Sequence, residues 1–321
     1  MSGDGPSEPG NSRTTLDLAA RASSTRVICL GLSALDQIWR VPEFFAGGSQ
    51  KIRSLEYTTM GGGMAATAAV TVARLGGRAA FWGRGGEDAA GLEMRKALAG
   101  HGVDIAQYRL FADGHSSVSG VLVDSAGERQ IVNFRGQFPE QAGWLPLDDV
   151  ATASSVLADP RWPAGAVALF GAARARAIPT ILDAEVADSE IFEALLPLTD
   201  HAIFSEPALS GFAGSSDDAA LVGLAKFGCA VVAVTRGADG VTWLQNGVLH
   251  RQPAYPVSAV DTTGAGDVFH GAYAFAIGAG LDAAAAMSFA AAAAALKCTR
   301  PGGRAGIPTL EDCLAFQRNG S

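Results

Sequence analysis

Short apolar runs alternate along the chain with longer stretches in which apolar residues recur at helical spacing. The apolar runs predict six strands, which cover residues 26–31, 79–82, 155–158, 180–183, 202–204 and 230–235. Helical spacing predicts helices over residues 63–75 and 89–99, with further helices between the later strands. Strands that alternate with helices of this length form βαβ units, so we expect an α/β fold with a mostly parallel central sheet flanked by helices.

Two segments, residues 37–60 and 107–137, interrupt this alternation and are richer in polar and aromatic residues. In the second segment, the apolar run 121–123 can pair with residues 130–133 across the turn 124–129 to form a hairpin. We therefore expect both segments to form a small β subdomain, here called the lid, over one end of the sheet. Its uncovered strand edges favour a homodimer that forms through the lid.

Residues 1–25 are rich in Ser, Gly, Pro and Asp, and we expect them to be a disordered tail that precedes one domain over residues 26–321. The N-terminal residues contain no apolar segment typical of a secretory signal, which favours a cytoplasmic protein. The most apolar stretch, residues 281–296, is dominated by alanine and contains Asp282. It is too short to span a bilayer, so it predicts a buried helix and no membrane partner.

The composition is that of a well-packed globular protein, since 48% of the 321 residues are hydrophobic and 17% are charged. The net charge of −8 argues against binding to a nucleic-acid backbone, although a few basic residues could still converge on a small anion. The four cysteines are scattered and form no C-x-x-C pair. This pattern favours free thiols over a zinc site or a disulfide framework.

The strongest chemical signal is the run D-T-T-G-A-G-D over residues 261–267. Its Gly-Ala-Gly turn precedes an apolar stretch, residues 268–277, that predicts a helix. Backbone N–H groups at a helix N-terminus bind anions, which suits a transferring phosphate. Asp267 lies at the start of this helix, where its carboxylate could take a proton from an attacking hydroxyl. Taken alone, the run fits equally well a glycine-rich helix cap in which Asp267 only supports the helix dipole.

Four motifs in this order resemble those of the ribokinase-like, or PfkB, carbohydrate kinases. Residues 261–271 resemble the C-terminal signature of the family, and residues 62–76 resemble its N-terminal signature. Residues 83–91 resemble its G-x-x-G-x-D-x-x-G stretch, and residues 234–240 resemble its nucleotide-site motif V-T-x-G-x-x-G. The resemblance covers about residues 26–308.

The resemblance implies an ATP-dependent sugar kinase that uses Mg²⁺, which would bridge the phosphates largely through water. Some members also use a monovalent cation near the anion hole. The family's general base corresponds to Asp267, and its anion hole for the γ-phosphate corresponds to Gly264, Ala265 and Gly266. The residues expected to contact the sugar include Asp36, Gly62 and Gly63. Those expected beside ATP are Thr235, Gly237 and Gly240.

Two positions depart from the family pattern. Thr67 stands where most members have an Asn that binds the sugar, which predicts a changed sugar contact at this substrate-binding position. The sequence S-E-P-A over residues 205–208 stands where many members have N-x-x-E near the metal. Glu206 is the candidate substitute as a metal-site residue.

Within the family, residues 61–70, 157–162, 204–207 and 295–308 resemble the 6-deoxy-6-sulfofructose kinases of sulfoglycolysis. This resemblance implies phosphorylation of O1 of 6-deoxy-6-sulfofructose, a sulfosugar. The positions that match the sulfonate-binding pattern of this branch are Lys51, Asn133 and Arg161.

The chemistry of these residues agrees with such a substrate, because a sulfonate at C6 requires cationic and neutral donors far from Asp267. An Arg with a Lys and a neutral amide suits a monoanion better than a phosphate dianion. Arg135 could also reach the same place. The basic residues of the C-terminal run are expected on the nucleotide side, or else at helix ends with no role in binding; they are Lys297, Arg300 and Arg304.

Other functions fit parts of the sequence. Fructose 6-phosphate and an unphosphorylated ketose are alternative acceptors, and a kinase-derived sugar sensor is a non-enzymatic alternative that the intact Asp267 argues against. The run Gly83-Arg-Gly-Gly86 could suggest a Rossmann dehydrogenase, but Asp88 replaces the third glycine of that fingerprint. A P-loop kinase is excluded because the chain contains no G-x-x-x-x-G-K-[ST].

Overall fold

The computed structural model describes residues 18–45, 47–49 and 51–319. The strands of the described residues are β1 Arg26–Gly31, β2 Ala34–Arg40, β3 Glu56–Gly62, β4 Arg78–Gly86, β5 Tyr108–Phe111, β6 Ser117–Val123, β7 Arg129–Phe134, β8 Ser155–Ala158, β9 Thr180–Ala184, β10 His201–Ser205, β11 Val231–Thr235, β12 Val241–Gln245 and β13 Val248–Gln252. The α-helices are α1 Met64–Arg74, α2 Ala89–Gly100, α3 Pro163–Arg174, α4 Ser189–Leu195, α5 Glu206–Ala213, α6 Asp218–Leu224, α7 Ala265–Gly278, α8 Ala283–Cys298 and α9 Leu310–Asn319.

Nine strands form the central sheet, in the order β13-β12-β11-β10-β9-β8-β1-β4-β5. Seven of them, from β11 to β5 in that order, pair in parallel, and β12 and β13 are antiparallel additions at one edge. The predicted α/β fold is confirmed, and each of the six predicted strands is present. The edge hairpin β12–β13 was not predicted.

Helices cover both faces of the central sheet because its strands are apolar on both sides. In β1, Val27 and Cys29 face one core, whereas Ile28 and Leu30 face the other. The first core contains residues of α1, α7 and α8, and the second contains residues of α3, α4, α5 and α6. This continuous apolar run is typical of a parallel sheet that is buried on both faces.

Helices α1 and α7 pack closely because their contact surfaces are made of small residues. A Cβ atom at Gly271 would overlap the backbone of Ala68, so glycine is required at this crossing. The close packing brings the start of α7, with its Gly-Ala-Gly turn, next to the start of α1. The two signature motifs therefore meet at one edge of the sheet, where β1, β8, β9, β10 and β11 end. In open α/β sheets this edge is where ligands bind.

The lid is a second sheet of four strands in the order β3-β2-β6-β7. Strand β2 pairs in parallel with β6, and the outer pairs β2–β3 and β6–β7 are antiparallel. The expected lid segment 107–137 needs one correction, because β5 pairs with β4 at the edge of the central sheet. The second lid segment therefore begins at β6.

The expected tail over residues 1–25 also needs a correction at its end. Residues 18–24 are helical, with Leu18 and Ala22 buried in the first core. Apolar contacts thus order this segment, although its composition is that of a tail. The part of the predicted tail before residue 18 lies outside the described residues. No helix within the described ranges is long and apolar enough to cross a membrane.

Candidate active site

The Gly-Ala-Gly turn has the backbone geometry of an anion-binding helix start. Gly264 is left-handed, with φ 75°, and it caps α7, whose first turn contains Ala265, Gly266 and Asp267. The left-handed conformation is open to glycine at little cost. The N–H groups of a first helical turn lack partners within the helix and point towards its positive end. The turn can therefore receive an anion, as the sequence predicts.

Asp267 is partly buried at this helix start, and its carboxyl group titrates near neutrality. Burial raises the pKa of Asp267 to about 7, and the nearby carboxyl of Asp183 adds to the rise. His270 and Arg304 act in the opposite direction. A carboxylate with a pKa near the working pH is suited to accept a proton.

Asp183 and His270 fix the start of α7 against the ends of two strands. Asp183 lies in β9 and is buried, with Oδ2 3.4 Å from Nδ1 of His270. The same Nδ1 lies 2.8 Å from the carbonyl oxygen of Gly266, and Nε2 lies 3.2 Å from that of Ile203. Neither residue was predicted as part of the site, although Asp183 ends a predicted apolar strand and could have been noticed there.

Asp159 is a second buried carboxylate that was missed, and it joins three loops of the site. Its Oδ2 accepts hydrogen bonds from the backbone of Leu32 at 2.8 Å and of Ala65 at 3.1 Å, and its Oδ1 accepts from the backbone of Arg161 at 2.9 Å. A Cβ atom at Gly31 would overlap this carboxylate. Burial raises the pKa of Asp159, and the three backbone donors counteract that rise.

A row of polar side chains crosses the lid sheet. Asp36 in β2 is in register with Ser119 in β6, and Ser119 is in register with Asn133 in β7. Paired residues of neighbouring strands project to the same face of a sheet. Asn133 Nδ2 donates to Ser119 Oγ at 3.1 Å, and Ser119 hydrogen-bonds to the Asp36 carboxylate. The row presents hydroxyl-binding groups, and it includes Asp36, which was predicted to contact the sugar, and Asn133, which was predicted to bind the sulfonate.

The predicted glycines lie where backbone and side chains approach each other closely. Gly63 has φ 92° and caps α1, and a Cβ atom there would overlap the carbonyl of Leu32. A Cβ atom at Gly62 would overlap the carboxylate of Asp36. Thr67, in the first turns of α1, is buried nearby. The structure therefore brings Asp36, Gly62, Gly63 and Thr67 together, as the sequence predicts.

Arg304 lies beside residues that were predicted to contact the sugar, and not beside those predicted to contact ATP, contrary to the expectation from sequence. It is buried, and its Nε donates to Thr67 Oγ1 at 3.2 Å while Nη2 donates to the carbonyl of Gly62 at 2.6 Å. The long-range fold brings it there, because Arg304 and Thr67 are 237 residues apart in the chain.

The other two basic residues of the C-terminal run have different partners. Lys297 is fully buried, and its Nζ lies 2.8 Å from the carbonyl oxygen and 3.3 Å from the carboxylate of Asp261, the first residue of the signature run. Arg300 is at the surface, where it pairs with Asp312 at 3.0 Å. Lys297 thus places a positive charge directly behind the predicted anion turn.

The predicted sulfonate residues are distributed over two regions. Arg161 lines two neighbouring cavities of about 290 and 250 Å³, and Arg135 lines both with it. The side chain of Arg161 donates to the carbonyl of Val186 at 2.8 Å. Asn133 lies in the polar row of the lid, and Lys51 is exposed between β2 and β3. Arg161 therefore forms a cationic region with Arg135, whereas Lys51 does not line either cavity.

The predicted nucleotide residues lie where β11 turns into β12. Thr235 ends β11, and its hydroxyl donates to the carbonyl of Phe204 at 3.3 Å. Gly237 and Gly240 have φ 55° and 87°, which suits glycine in a tight turn. A Cβ atom at Gly240 would also overlap the carbonyl of Gln252. These residues lie at the same edge of the sheet as the N-terminus of α7.

The described residues fit a phosphate-bound Mg²⁺ better than a protein-bound one. Glu206, the predicted metal residue, pairs with Arg236 at 2.8 Å and accepts a hydrogen bond from Ser216 at 3.2 Å, so its carboxylate is already neutralised. Over the part of the chain that the structure describes, no cluster of three or more His, Cys, Asp or Glu side chains is arranged to hold a metal ion. An ion held by ATP phosphates and water agrees with this arrangement.

Known proteins match the chain along most of its length. Residues 24–310 match the family described as pfkB family carbohydrate kinase. The chain is 27% identical over 297 residues to a ribokinase of Haemophilus influenzae, which covers 89% of this chain and 96% of that protein. It is 34% identical over 230 residues to a fructokinase of Klebsiella pneumoniae, which covers 65% of this chain and 74% of that protein.

Solved structures share the same fold. The structure of Arabidopsis thaliana ribokinase in complex with ribose and ATP aligns with a TM-score of 0.83 at 27% identity, over 91% of this chain and 98% of that chain. The family match spans both signature motifs and the whole central sheet. The chain therefore belongs to the pfkB family, and it is an ATP-dependent carbohydrate kinase.

Proposed function

We propose that this kinase transfers the γ-phosphoryl group of ATP to O1 of 6-deoxy-6-sulfofructose and forms the 1-phosphate and ADP. One observation carries the phosphoryl-transfer part of the proposal: a carboxylate with a pKa of about 7, Asp267, stands beside the left-handed Gly264 at the start of α7. The resemblance of residues 295–308 and 157–162 to sulfofructose kinases supports the choice of acceptor.

In the proposed reaction, the Asp267 carboxylate accepts the O1 proton while O1 attacks the γ-phosphorus. The bond between the γ-phosphorus and the bridging oxygen breaks, and that oxygen leaves with ADP. The first-turn N–H groups of α7 would donate to the oxygens of the phosphoryl group in transfer. Thr235, Gly237 and Gly240 would lie beside ATP, and Mg²⁺ bound to its phosphates would supply charge neutralisation.

The sugar is proposed to lie between the polar row of the lid and the start of α7. Asp36 and Asn133 would bind its hydroxyls, and Gly62 and Gly63 would let it approach the backbone. The C6 sulfonate would then lie at the other end of the sugar, near Arg161 and Arg135. Lys51 would have to move towards this region with its loop to take part in binding.

A comparison of acceptors tests the substrate. We expect kcat/KM to be highest for 6-deoxy-6-sulfofructose in a set that also contains fructose 6-phosphate, fructose and ribose, with ATP held constant. A site that discriminates a charged group typically separates such acceptors by about tenfold or more in kcat/KM. A preference for any other acceptor of the set would overturn the sulfofructose assignment and would leave the sugar-kinase activity intact.

The Arg161→Ala variant tests the anion region. We expect it to raise KM for the sulfonate about 10- to 100-fold, because a charged hydrogen bond is lost, while KM for fructose changes little. Arg176→Ala is the matched control, since Arg176 pairs with the exposed Asp148 at 3.1 Å on the surface. Equal effects of Arg161→Ala on the two acceptors would remove Arg161 from the anion region.

A second candidate is an unphosphorylated pentose or ketose, as in the relatives named ribokinase and fructokinase. The observation that favours it is the pair Ser119 and Asn133 in the polar row of the lid. Both side chains are neutral, so they can bind the hydroxyls of a sugar that carries no charged group. The acceptor comparison decides between the two.

We further propose that the protein is cytoplasmic and forms a homodimer through the lid. Strand β7 supports the dimer because it is at the edge of the lid sheet and all six of its residues are exposed. An exposed strand edge can pair with the same edge of a second copy.

A further inference from the structure

The guanidinium of Arg304 is buried on the sugar side of the site with one nitrogen unpaired. Arg304 is 5% exposed and lies in the turn Gly303–Gly306, which precedes α9. Its Nε and Nη2 are bound by Thr67 and Gly62, whereas Nη1 is buried without a hydrogen-bond partner among the described residues. A buried donor without a partner is unfavourable, and more so when it is charged, because it has lost its hydrogen bonds to water. Such a group therefore indicates that a ligand completes its hydrogen bonding.

Two carboxylates of the proposed active site act on this guanidinium. Arg304 counteracts the rise in pKa that burial causes at both Asp36 and Asp267. Burial in turn lowers the pKa of Arg304 to about 10, and it stays positively charged at neutral pH. Within the described ranges it forms no ion pair with either carboxylate. A sugar whose hydroxyls lie between Asp36 and Asp267 would therefore lie beside Arg304.

Two neighbouring positions, Gly61 and Thr67, accommodate the side chain of Arg304. A Cβ atom at Gly61 would overlap Nη1, so glycine leaves the room that the nitrogen occupies. Thr67 is short enough to leave space for the guanidinium, and its Oγ1 accepts from Nε. Thr67 is also the position where the family resemblance predicts an Asn. Gly61, Thr67 and Arg304 thus form one structural unit, built from two distant parts of the chain.

We propose that Arg304 is an acceptor-binding residue of this kinase, in which Nη1 donates a hydrogen bond to an oxygen of the sugar near Asp36 and Asp267. It would supply the donor that Thr67, lacking an amide, does not provide. The proposal rests on the sugar-kinase activity, but it does not depend on which sugar is the acceptor. The γ-phosphate of ATP is the competing ligand for Nη1, and the experiment separates the two.

The Arg304→Gln variant is the first test, measured with the acceptor that wild-type protein uses best. We expect KM for the acceptor to rise about 10- to 100-fold, as for the loss of a charged hydrogen bond. We expect KM for ATP to change by less than about twofold, because the donor serves the sugar. Arg300→Gln is the matched control: it removes another arginine of the same turn region, one that pairs with Asp312 at the surface.

Gly61→Ala provides a second test that leaves Arg304 in place. Its new methyl group would push Nη1 aside, and the φ of Gly61 is not in the left-handed region, so alanine is tolerated by the backbone. We expect KM for the acceptor to rise about tenfold here also. Gly120→Ala is the matched control in the lid, where a Cβ atom would meet Trp39 only at an ordinary contact distance of 3.5 Å.

The outcomes separate the possible roles of Arg304. An unchanged KM for the acceptor in folded Gly61→Ala and Arg304→Gln proteins would overturn the proposal, as would a rise in KM for ATP alone. If Arg304→Gln does not fold, the Gly61→Ala result decides. If the best acceptor is not 6-deoxy-6-sulfofructose, the proposed substrate is wrong, but the assignment of Arg304 is still tested. The same two variants are then measured with the acceptor that the enzyme prefers.

Discussion

At the scale of single residues, the candidate active site contains three carboxyl groups in places where burial opposes their ionisation. Asp159, Asp183 and Asp267 are carboxyl groups whose pKa values burial raises. Asp159 adds to the rise in pKa at Asp183, and Asp183 and Asp159 add to that at Asp267. Asp159 is compensated by three backbone donors, whereas Asp267 has no such set and is left with a pKa of about 7. The same environment that opposes ionisation of Asp267 would suit it to the proposed role of general base.

The Asp267→Asn variant tests that role directly. The amide cannot accept the proton of the attacking hydroxyl, so we expect kcat to fall about 10²- to 10⁴-fold while KM for ATP changes little. A coupled assay of ADP release measures both constants. Turnover within about tenfold of wild type would contradict the assignment of Asp267 as the general base.

The pH dependence of stability provides an independent test. Because the folded-state pKa of Asp267 is raised, its protonated form favours folding at low pH, and this contribution is lost as pH rises through about 7. Asp267→Asn is neutral at every pH and avoids that loss. We therefore expect the free energy of unfolding of the variant, minus that of wild type, to increase by at least about 1 kcal/mol between pH 5 and pH 8.

Urea unfolding at several pH values measures this difference. The acidic neighbours Asp159 and Asp183 and the basic neighbours His270 and Arg304 are present in both proteins, so their own titration largely cancels in the subtraction. A difference that stays flat or falls with pH would mean that Asp267 is not raised to near neutrality.

At the scale of elements, the turn before α7 is held from behind by α8. Asp261 accepts hydrogen bonds from the backbone of Thr263, Gly302 and Gly303, and Lys297 at the end of α8 binds its carbonyl and its carboxylate. Burial would raise the pKa of Asp261, but these donors bring it well below its ordinary value. The ammonium group of Lys297 thus supplies a fixed positive charge beside Asp261, next to the turn near which some members of the family use a monovalent cation.

We therefore expect activity that does not depend on added K⁺. Replacing K⁺ by tetramethylammonium in the wild-type assay should change kcat/KM by less than about twofold, because Lys297 already neutralises Asp261. Lys297→Ala should destabilise the protein by about 3–5 kcal/mol, since it removes the buried charged partner of the Asp261 carboxylate and leaves only Arg129, which is partly exposed. Thermal unfolding measures that loss, with Lys226→Ala, an exposed lysine, as control. Strong K⁺ activation of the wild-type enzyme would contradict this role for Lys297.

At the scale of the whole molecule, the lid carries exposed apolar side chains that could contact a second copy of the chain. On β7, Ile131, Val132 and Phe134 are 61%, 79% and 48% exposed, although all three are apolar. Residues alternate between faces along a strand, so Val132 points away from the face that carries Asn133 and Asp36. Val132 and Phe134 lie on this outer side, whereas Ile131 shares the face of Asn133, and apolar groups on the outer side suit contact with a second lid.

The Val132→Lys variant tests the homodimer. A charge on the outer side of β7 should weaken dimerisation at least about tenfold, because each lysine would be desolvated against its copy. Sedimentation or light scattering over a range of concentrations measures the change. Val248→Lys is the matched control on β13, an exposed valine on the distant edge of the central sheet. A monomeric wild-type protein, or a variant that dimerises equally well, would contradict the proposed interface.

Local signals in the sequence were enough for the fold class and for the turn at Asp267. The strands of a parallel sheet are continuous apolar runs, and a glycine-rich turn before a helix is encoded by neighbouring residues, so both are visible without tertiary contacts. The edge hairpin β12–β13 was missed because its second strand is largely exposed and lacks an apolar run. Strand β5 was missed because Arg109 interrupts its four residues, so they form no continuous apolar run.

The sequence by itself determined an α/β fold and a glycine-rich turn with Asp267 at the start of a helix, since turn chemistry and periodicity act over a few residues. Only the tertiary structure decided what surrounds Asp267. Asp159 joins loops 94 and 127 residues away, and Arg304 reaches Thr67 across 237 residues. Such contacts leave no periodic trace in a sequence, because they depend on how α1, α7 and the C-terminal turn pack together, and packing is a property of the folded whole.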